Sequence, residues 1–189
     1  KADYPTIFKN QVITDLVRVL GCGIETDKRN KDLGEFDINS LRFGKIIIAT
    51  DADADGQQIA CLIITMFYRL MPQLIRDGYI YIAKTPLYEV KLENDEMVYF
   101  YSEQHKDEEI SKLKGKYTIQ RCKGLGELEA EVMAETAMDP ATRRLERVTV
   151  EDAEAMADMI DMFMGQEVRD RKQYIEDNLY KYIDNIVTE

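Results

Sequence analysis

Three features of the sequence predict an α/β protein: a mostly parallel sheet flanked by helices, carrying a β-hairpin and a helical C-terminal tail. The first is the apolar run Ile46-Ile47-Ile48-Ala49. It is β-branched and lacks polar alternation, as in a parallel strand covered on both faces. The second is the helical stripe that follows, Ile59, Leu62, Ile63, Met66, Phe67, Leu70 and Leu74. The third is a series of short β-branched and aromatic runs over 79–83, 87–92, 97–101 and 117–121, punctuated by Asp77-Gly78, Pro86 and Asn94-Asp95.

The remaining elements follow in order. Ile7, Phe8, Val12, Leu16, Val17 and Leu20 predict one helix over 4–20, opened near Pro5 and stopped by Gly21. Residues 25–39 are polar and read as a solvated connection. Residues 45–49 form the first strand, and Gly56 permits the turn into the next helix. Asn94-Asp95 turns a hairpin, and Ser102 caps a charged helix reaching 114. After strand 117–121, the glycine-flanked run Lys123-Gly124-Leu125-Gly126-Glu127 leads into a helix. A turn follows at Asp139-Pro140, and Val148 and Val150 close a strand. Met156, Met159, Ile160 and Phe163 mark a helix that Gly165 ends. Val168, Ile175, Leu179, Ile183 and Ile186 mark a last helix, with an exposed stripe suited to a neighbour.

A chain of 189 residues with 45% hydrophobic content suits one domain, or one with an appendage, around a sizeable core. No apolar run approaches the ~18 residues of a membrane span, so no membrane is expected. Cys22, Cys61 and Cys122 are odd in number and widely spaced. They fit neither a disulfide framework nor a zinc site, and read as reduced cytosolic packing residues. His105 is the sole histidine and cannot anchor a metal site or a triad. The net charge of −11 argues against a nucleic-acid footprint. A bound cation, however, inverts the local electrostatics.

The chemistry concentrates in Asp51-Ala52-Asp53-Ala54-Asp55-Gly56. If the chain stays extended past Thr50, side chains at i, i+2 and i+4 share one side. The three carboxylates would then converge at the strand's carboxyl end, where open α/β sheets place ligands. Such a trio needs a cation, and Mg²⁺, with one or two carboxylates, water and a phosphate, is the natural guest. An exposed acidic turn is the plainer alternative. An EF-hand is excluded, because its twelfth position would be Leu62 and a strand precedes the loop. A phosphatase of the aspartyl-phosphate type remains, although its pattern wants threonine where Asp55 stands. The helix after Gly56 points its N-terminus, with Gln57 and Gln58, at the site and favours anions there. Arg42 and Lys45, just before the strand, read first as ordinary surface bases, with DNA phosphates as the alternative contact. Arg143, Arg144 and Arg147 are read as pairing with local acids, with a face toward DNA as the alternative.

Lys45-Ile46-Ile47-Ile48-Ala49-Thr50-Asp51-Ala52-Asp53-Ala54-Asp55-Gly56 resembles the metal motif of the Toprim domain. Its wording is closest to the B subunits of bacterial type IIA DNA topoisomerases, gyrase and topoisomerase IV. Four more blocks follow in the family's order: Leu62-Ile63-Ile64-Thr65-Met66-Phe67-Tyr68-Arg69, Tyr81-Ile82-Ala83-Lys84-Thr85-Pro86-Leu87-Tyr88, Gln120-Arg121-Cys122-Lys123-Gly124-Leu125-Gly126-Glu127, and Thr136-Ala137-Met138-Asp139-Pro140 with Arg143-Arg144.

The resemblance implies a Toprim (Rossmann-like) domain over 1–122. It implies a tail over 123–189 that completes the surface for the A subunit. It implies Mg²⁺-dependent cleavage and religation of double-stranded DNA by a tyrosine of that subunit, in a cytoplasmic A2B2 heterotetramer. Asp51 and Asp53 become the catalytic metal ligands, with Asp55 a third ligand or an outer acid; Asp51→Ala and Asp53→Ala are expected to keep the fold. Lys123, Gly124 and Gly126 of the signature loop, with Gln58 and Arg42, become contacts to DNA or the A subunit. The family more often has His at Gln58 and a base at Ala60, so phosphate contacts differ here. The family's catalytic Glu-Gly-Asp block and its ATP-hydrolysing domain would precede Lys1, so ATP belongs to the full-length protein and the fragment alone is expected to be inactive. Other readings are another Toprim or phosphatase-type phosphoryl-transfer enzyme, or a divergent non-catalytic binding module.

Overall fold

The computed structural model describes residues 4–25, 34–113, 115–122, 124–150 and 153–182, with backbone alone at 153–155 and 182. The residues fall into two units. One comprises Lys1–Ile46, Ile63–Ile80 and Val148–Glu189, the other Ile47–Leu62 and Tyr81–Arg147.

In the first unit the expected single N-terminal helix is two, α1 (Tyr4–Ile7) and α2 (Gln11–Leu20). Asn10 causes the break. Its side chain accepts hydrogen bonds from the Val12 and Ile13 amides and so starts α2 afresh. Gly21 ends α2 at φ 82°, a left-handed cap that glycine adopts without strain. Of the predicted connection, residues 26–33 lie outside the described residues. Its described part forms a parallel bridge, Ile24 to Glu35, and a short 3₁₀ turn, Ile38–Ser40.

Helix α3 (Ala54–Leu70) starts in the second unit and ends in the first. The stripe predicted to run on to Leu74 is interrupted at Met71, and Pro72 opens a separate helix, α4 (Pro72–Arg76). The later half of the stripe is core: Phe67, Leu70 and Leu74 are all but sealed from solvent. Trimming Phe67 to alanine would cost about 3–5 kcal/mol on that burial. Ile59 and Leu62 are half exposed, so the earlier half of the stripe is not the buried face the periodicity predicted.

The second unit carries two three-stranded sheets. One orders β1 (Ile46–Ile48), β2 (Ile80–Lys84) and β6 (Arg144–Arg147) as β1-β2-β6. The other centres β3 (Tyr88–Leu92) between β4 (Met97–Phe100) and β5 (Tyr117–Arg121). The mixed α/β class holds, but strand direction differs from expectation. Each pair whose register is given, β2 with β6 and β3 with β4 and β5, runs antiparallel. A short turn through Asp95, at φ 65°, can join β3 to β4 only in that sense. Among the described residues β1 is an edge strand with Ile48 alone buried, so its unalternating isoleucines are not sandwiched on both faces. The last strand ends at Arg147, before the predicted Val148 and Val150; Val148 N–H still donates to the Ile80 carbonyl at 3.0 Å.

Helix α5 (Glu103–Ile110) begins as predicted, with Ser102 Oγ accepting from the His105 amide. The glycine loop passes through a 3₁₀ turn (Leu125–Glu127) into α6 (Ala130–Met133), which widens into a π turn over Ala134–Met138. Helices α7 (Ala153–Met164) and α8 (Arg169–Tyr182) pack through Phe163 against Tyr174; Ile183 and Ile186 lie outside the described residues. Ile175 and Leu179 of α8 stay nearly half exposed. No helix among the described residues is long and apolar enough to cross a membrane.

Candidate functional site

The acid loop sits between β1 and α3, in the second unit. Thr85, just past β2, ties the loop down: its Oγ1 donates to the Thr50 carbonyl at 3.4 Å. Gly56 is buried, and a β-carbon there would run into the Asp51 carbonyl. Only glycine lets the chain fold back this closely.

The three acids do not converge. The chain leaves the extended state too early, because α3 already begins at Ala54. Asp53 is its cap: Oδ1 accepts from the Gly56 amide at 2.7 Å, and the Asp53 carbonyl accepts from the Gln57 amide at 3.1 Å. Asp55 therefore lies in the first helical turn, exposed, where a negative charge suits the helix dipole. Among the described residues no group of three His, Cys, Asp or Glu side chains could hold a metal ion. Convergence at i, i+2 and i+4 needs a strand where the capping hydrogen bonds make a helix.

Asp51 has a different partner. Its Oδ1 accepts from the Leu125 amide at 2.7 Å, across 74 positions of sequence. Gly124 lies beside it; a β-carbon there would stand 3.5 Å from Asp51 Oδ2. The structure thus brings the acid loop and the Gly124-Leu125 loop together. Leu125 was missed as a site residue because it acts through its backbone N–H, which leaves no mark in the side-chain pattern. The glycine next to it was the only available signal. Gly126 has nothing within 4 Å of its would-be β-carbon. Lys123 lies outside the described residues. Gln58 is exposed in the first turns of α3. Arg42 belongs to the other unit, where its amide donates to the Leu20 carbonyl at 3.1 Å and its side chain lies close to Gly21.

The donor set suits Mg²⁺. Asp51 and Asp53 each commit Oδ1 to a backbone N–H and make no hydrogen bond through Oδ2 to any described residue. Two hard oxygens held this way match an ion that takes one or two carboxylates and keeps its waters. The thiols and phenols of this unit whose shifts are resolved are held away from the nucleophilic form. Burial, then Glu89, pushes the Cys122 thiol up to about 11. Burial is also the first cause that raises the Tyr88, Tyr99 and Tyr101 phenols. Cys61 is exposed and Cys122 half-buried, so only Cys22 is the fully packed thiol expected of all three. In the basic cluster, Arg144 stacks on Tyr101 and Arg143 donates to the Met138 carbonyl, so these two meet a ring and a backbone oxygen in place of the acids expected.

Residues 5–85 match the Toprim domain family, and residues 114–176 match the family described as the carboxyl terminus of the DNA gyrase B subunit. Over 182 residues the chain is 43% identical to a DNA gyrase B subunit from Thermotoga maritima, covering 96% of this chain and 27% of that protein. It is 42% identical over 178 residues to the gyrase B subunit from Mycoplasma pneumoniae, covering 94% and 26%. It is 40% identical over 179 residues to the one from Thermus thermophilus, covering 94% and 27%. The chain spans only about a quarter of the length of these relatives. Asp51 lies in the first matched stretch and Leu125 in the second, so the hydrogen bond between them joins the two. The chain thus carries a Toprim match over residues 5–85 and a gyrase B carboxyl-terminal match over residues 114–176, and resembles the corresponding region of gyrase B, a type IIA topoisomerase subunit.

Proposed function

We propose that this chain is the part of a type IIA topoisomerase B subunit that holds Mg²⁺ against double-stranded DNA where the strands are cut and resealed. Residues 1–122 are the Toprim domain, and 123–189 the tail completing the surface for the A subunit. The supporting observation is the Leu125 N–H donated to Asp51, which joins the acid loop to the glycine loop inside one unit. Asp51 and Asp53 would hold the ion through their remaining oxygens, with Asp55 an outer acid at the mouth of α3. When bound, Mg²⁺ neutralises charge on the phosphodiester oxygens and on the leaving sugar oxygen.

This chain's own residues position the ion and the DNA. No nucleophile is assigned to this chain; Tyr88, Tyr99 and Tyr101 are shifted away from phenolate. A tyrosine of the A subunit fills that role, in an A2B2 assembly powered by ATP in another domain of the full-length protein. By the family resemblance alone, Lys123, Gly124, Gly126, Gln58 and Arg42 are proposed as contacts to DNA or the A subunit. Free cysteines at 22, 61 and 122 suit the cytoplasm.

The test is Asp51→Asn in the full-length protein reconstituted with its A subunit, read by Mg²⁺-dependent plasmid cleavage and supercoil change. Loss of about 10²-fold or more is expected for a metal ligand of the cleavage step. Wild-type cleavage by the variant, or robust nicking by residues 1–189 alone, overturns the reading.

A further inference from the structure

Gly124 has φ −143° and ψ 152°, extended backbone that any residue adopts. The main chain therefore does not require glycine at this position. What a side chain would meet is Asp51: a β-carbon would lie 3.5 Å from Oδ2 and 3.7 Å from both Cγ and Oδ1. Those are ordinary contacts, so a methyl group fits without displacing its neighbours. It would nevertheless cover the carboxylate oxygen that Leu125 leaves open. Two residues further on, a β-carbon on Gly126 would meet nothing within 4 Å. The two glycines of one loop differ in what their bareness achieves.

Leu125 supplies the complementary half. Its N–H fixes Oδ1 of Asp51 at 2.7 Å and so sets the direction in which Oδ2 points. A carboxylate held by one hydrogen bond cannot rotate freely, and its second oxygen is presented in one direction.

We infer that Gly124 and Leu125 form the outer wall of the Asp51 cation site: the Leu125 amide orients the carboxylate, and the missing side chain of Gly124 keeps its coordinating oxygen bare. This inference rests on the proposed role of Asp51 and adds two positioning residues to it. Neither residue touches the reacting atoms.

The experiment titrates Mn²⁺, as a stand-in for Mg²⁺, into the full-length protein and follows the electron paramagnetic resonance of the free ion. Gly124→Ala, Gly124→Val, Leu125→Pro and Asp51→Asn are compared with wild type. Proline suits the first position of a 3₁₀ turn after an extended residue, so Leu125→Pro removes the N–H and keeps the turn. Mn²⁺ affinity should fall about ten-fold in Leu125→Pro and Gly124→Ala, the usual size of an outer-shell loss. It should fall further in Gly124→Val. Thermal melts of Gly124→Ala should match wild type, which separates coverage of the oxygen from unfolding. Unchanged or tighter Mn²⁺ binding in Gly124→Ala and Leu125→Pro overturns the inference. If Asp51→Asn binds Mn²⁺ as wild type does, the metal reading itself fails; if it loses binding while the loop variants keep theirs, only the wall does.

Discussion

Asp53 carries two jobs that can be separated. Its Oδ1 caps α3 through the Gly56 amide at 2.7 Å, and its other oxygen is proposed as a metal ligand. Asp53→Ala removes one hydrogen bond and leaves the Gln57 amide still bonded to the backbone carbonyl of residue 53. Only one orphan donor is therefore lost. That donor is on a buried glycine, which water reaches poorly, so the loss falls in the upper part of the capping range, about 1–2 kcal/mol. For a chain of this size, about 1 kcal/mol corresponds to about 2–4 °C in Tm. Asp53→Asn and Asp53→Ser keep an oxygen for the Gly56 amide and lose the charge. Thermal melts followed by far-ultraviolet circular dichroism should show Asp53→Ala lowered by that amount, with Asn and Ser close to wild type. Mn²⁺ titration should show all three impaired. Asp53→Ala is thus expected to keep the fold at reduced stability, because alanine removes a cap as well as a proposed ligand. An unchanged melt in Asp53→Ala, or an equal drop in Asp53→Asn, would refute the capping role.

Three further outcomes are expected. Gly56→Ala forces a β-carbon against the Asp51 backbone, 2.8 Å from its carbonyl carbon and 2.9 Å from its nitrogen. Overpacking of this kind costs about 1–3 kcal/mol in urea unfolding and should also weaken Mn²⁺ binding; a neutral Gly56→Ala contradicts the tight turn. The Cys122 thiol, raised by burial and Glu89 from 9.0 to about 11, keeps its proton in the folded state after the unfolded chain has lost it. Its contribution is present below the unfolded value and is lost as pH rises through about 11. Cys122→Ala should therefore flatten the fall in Tm between pH about 8 and about 10.5. Equal slopes in the two proteins count against that assignment. Tyr88 Oη donates to Glu103 at 3.1 Å, linking β3 to α5, and Tyr88→Phe should cost about 1 kcal/mol in urea unfolding. A Tyr88→Phe protein as stable as wild type would leave that bond without weight.

Sequence alone determined the short-range structure. The Ser102 cap, the Asn94-Asp95 turn, the Gly21 stop and the acid motif at the end of a strand are each set by residues within a few positions of one another. Local propensity and hydrogen bonding act over that range, so each leaves a readable pattern. Tertiary structure decided the rest. Whether Asp53 would point along a strand or cap a helix depended on where α3 begins, and i, i+2 spacing cannot tell. Antiparallel pairing of β2 with β6 depended on a strand 60 to 66 positions away, from Lys84↔Arg144 to Tyr81↔Arg147. The partner of Asp51 is a backbone amide 74 positions distant, which no residue letter encodes. Every residue but proline carries an N–H, so only the folded chain selects the one that reaches the carboxylate.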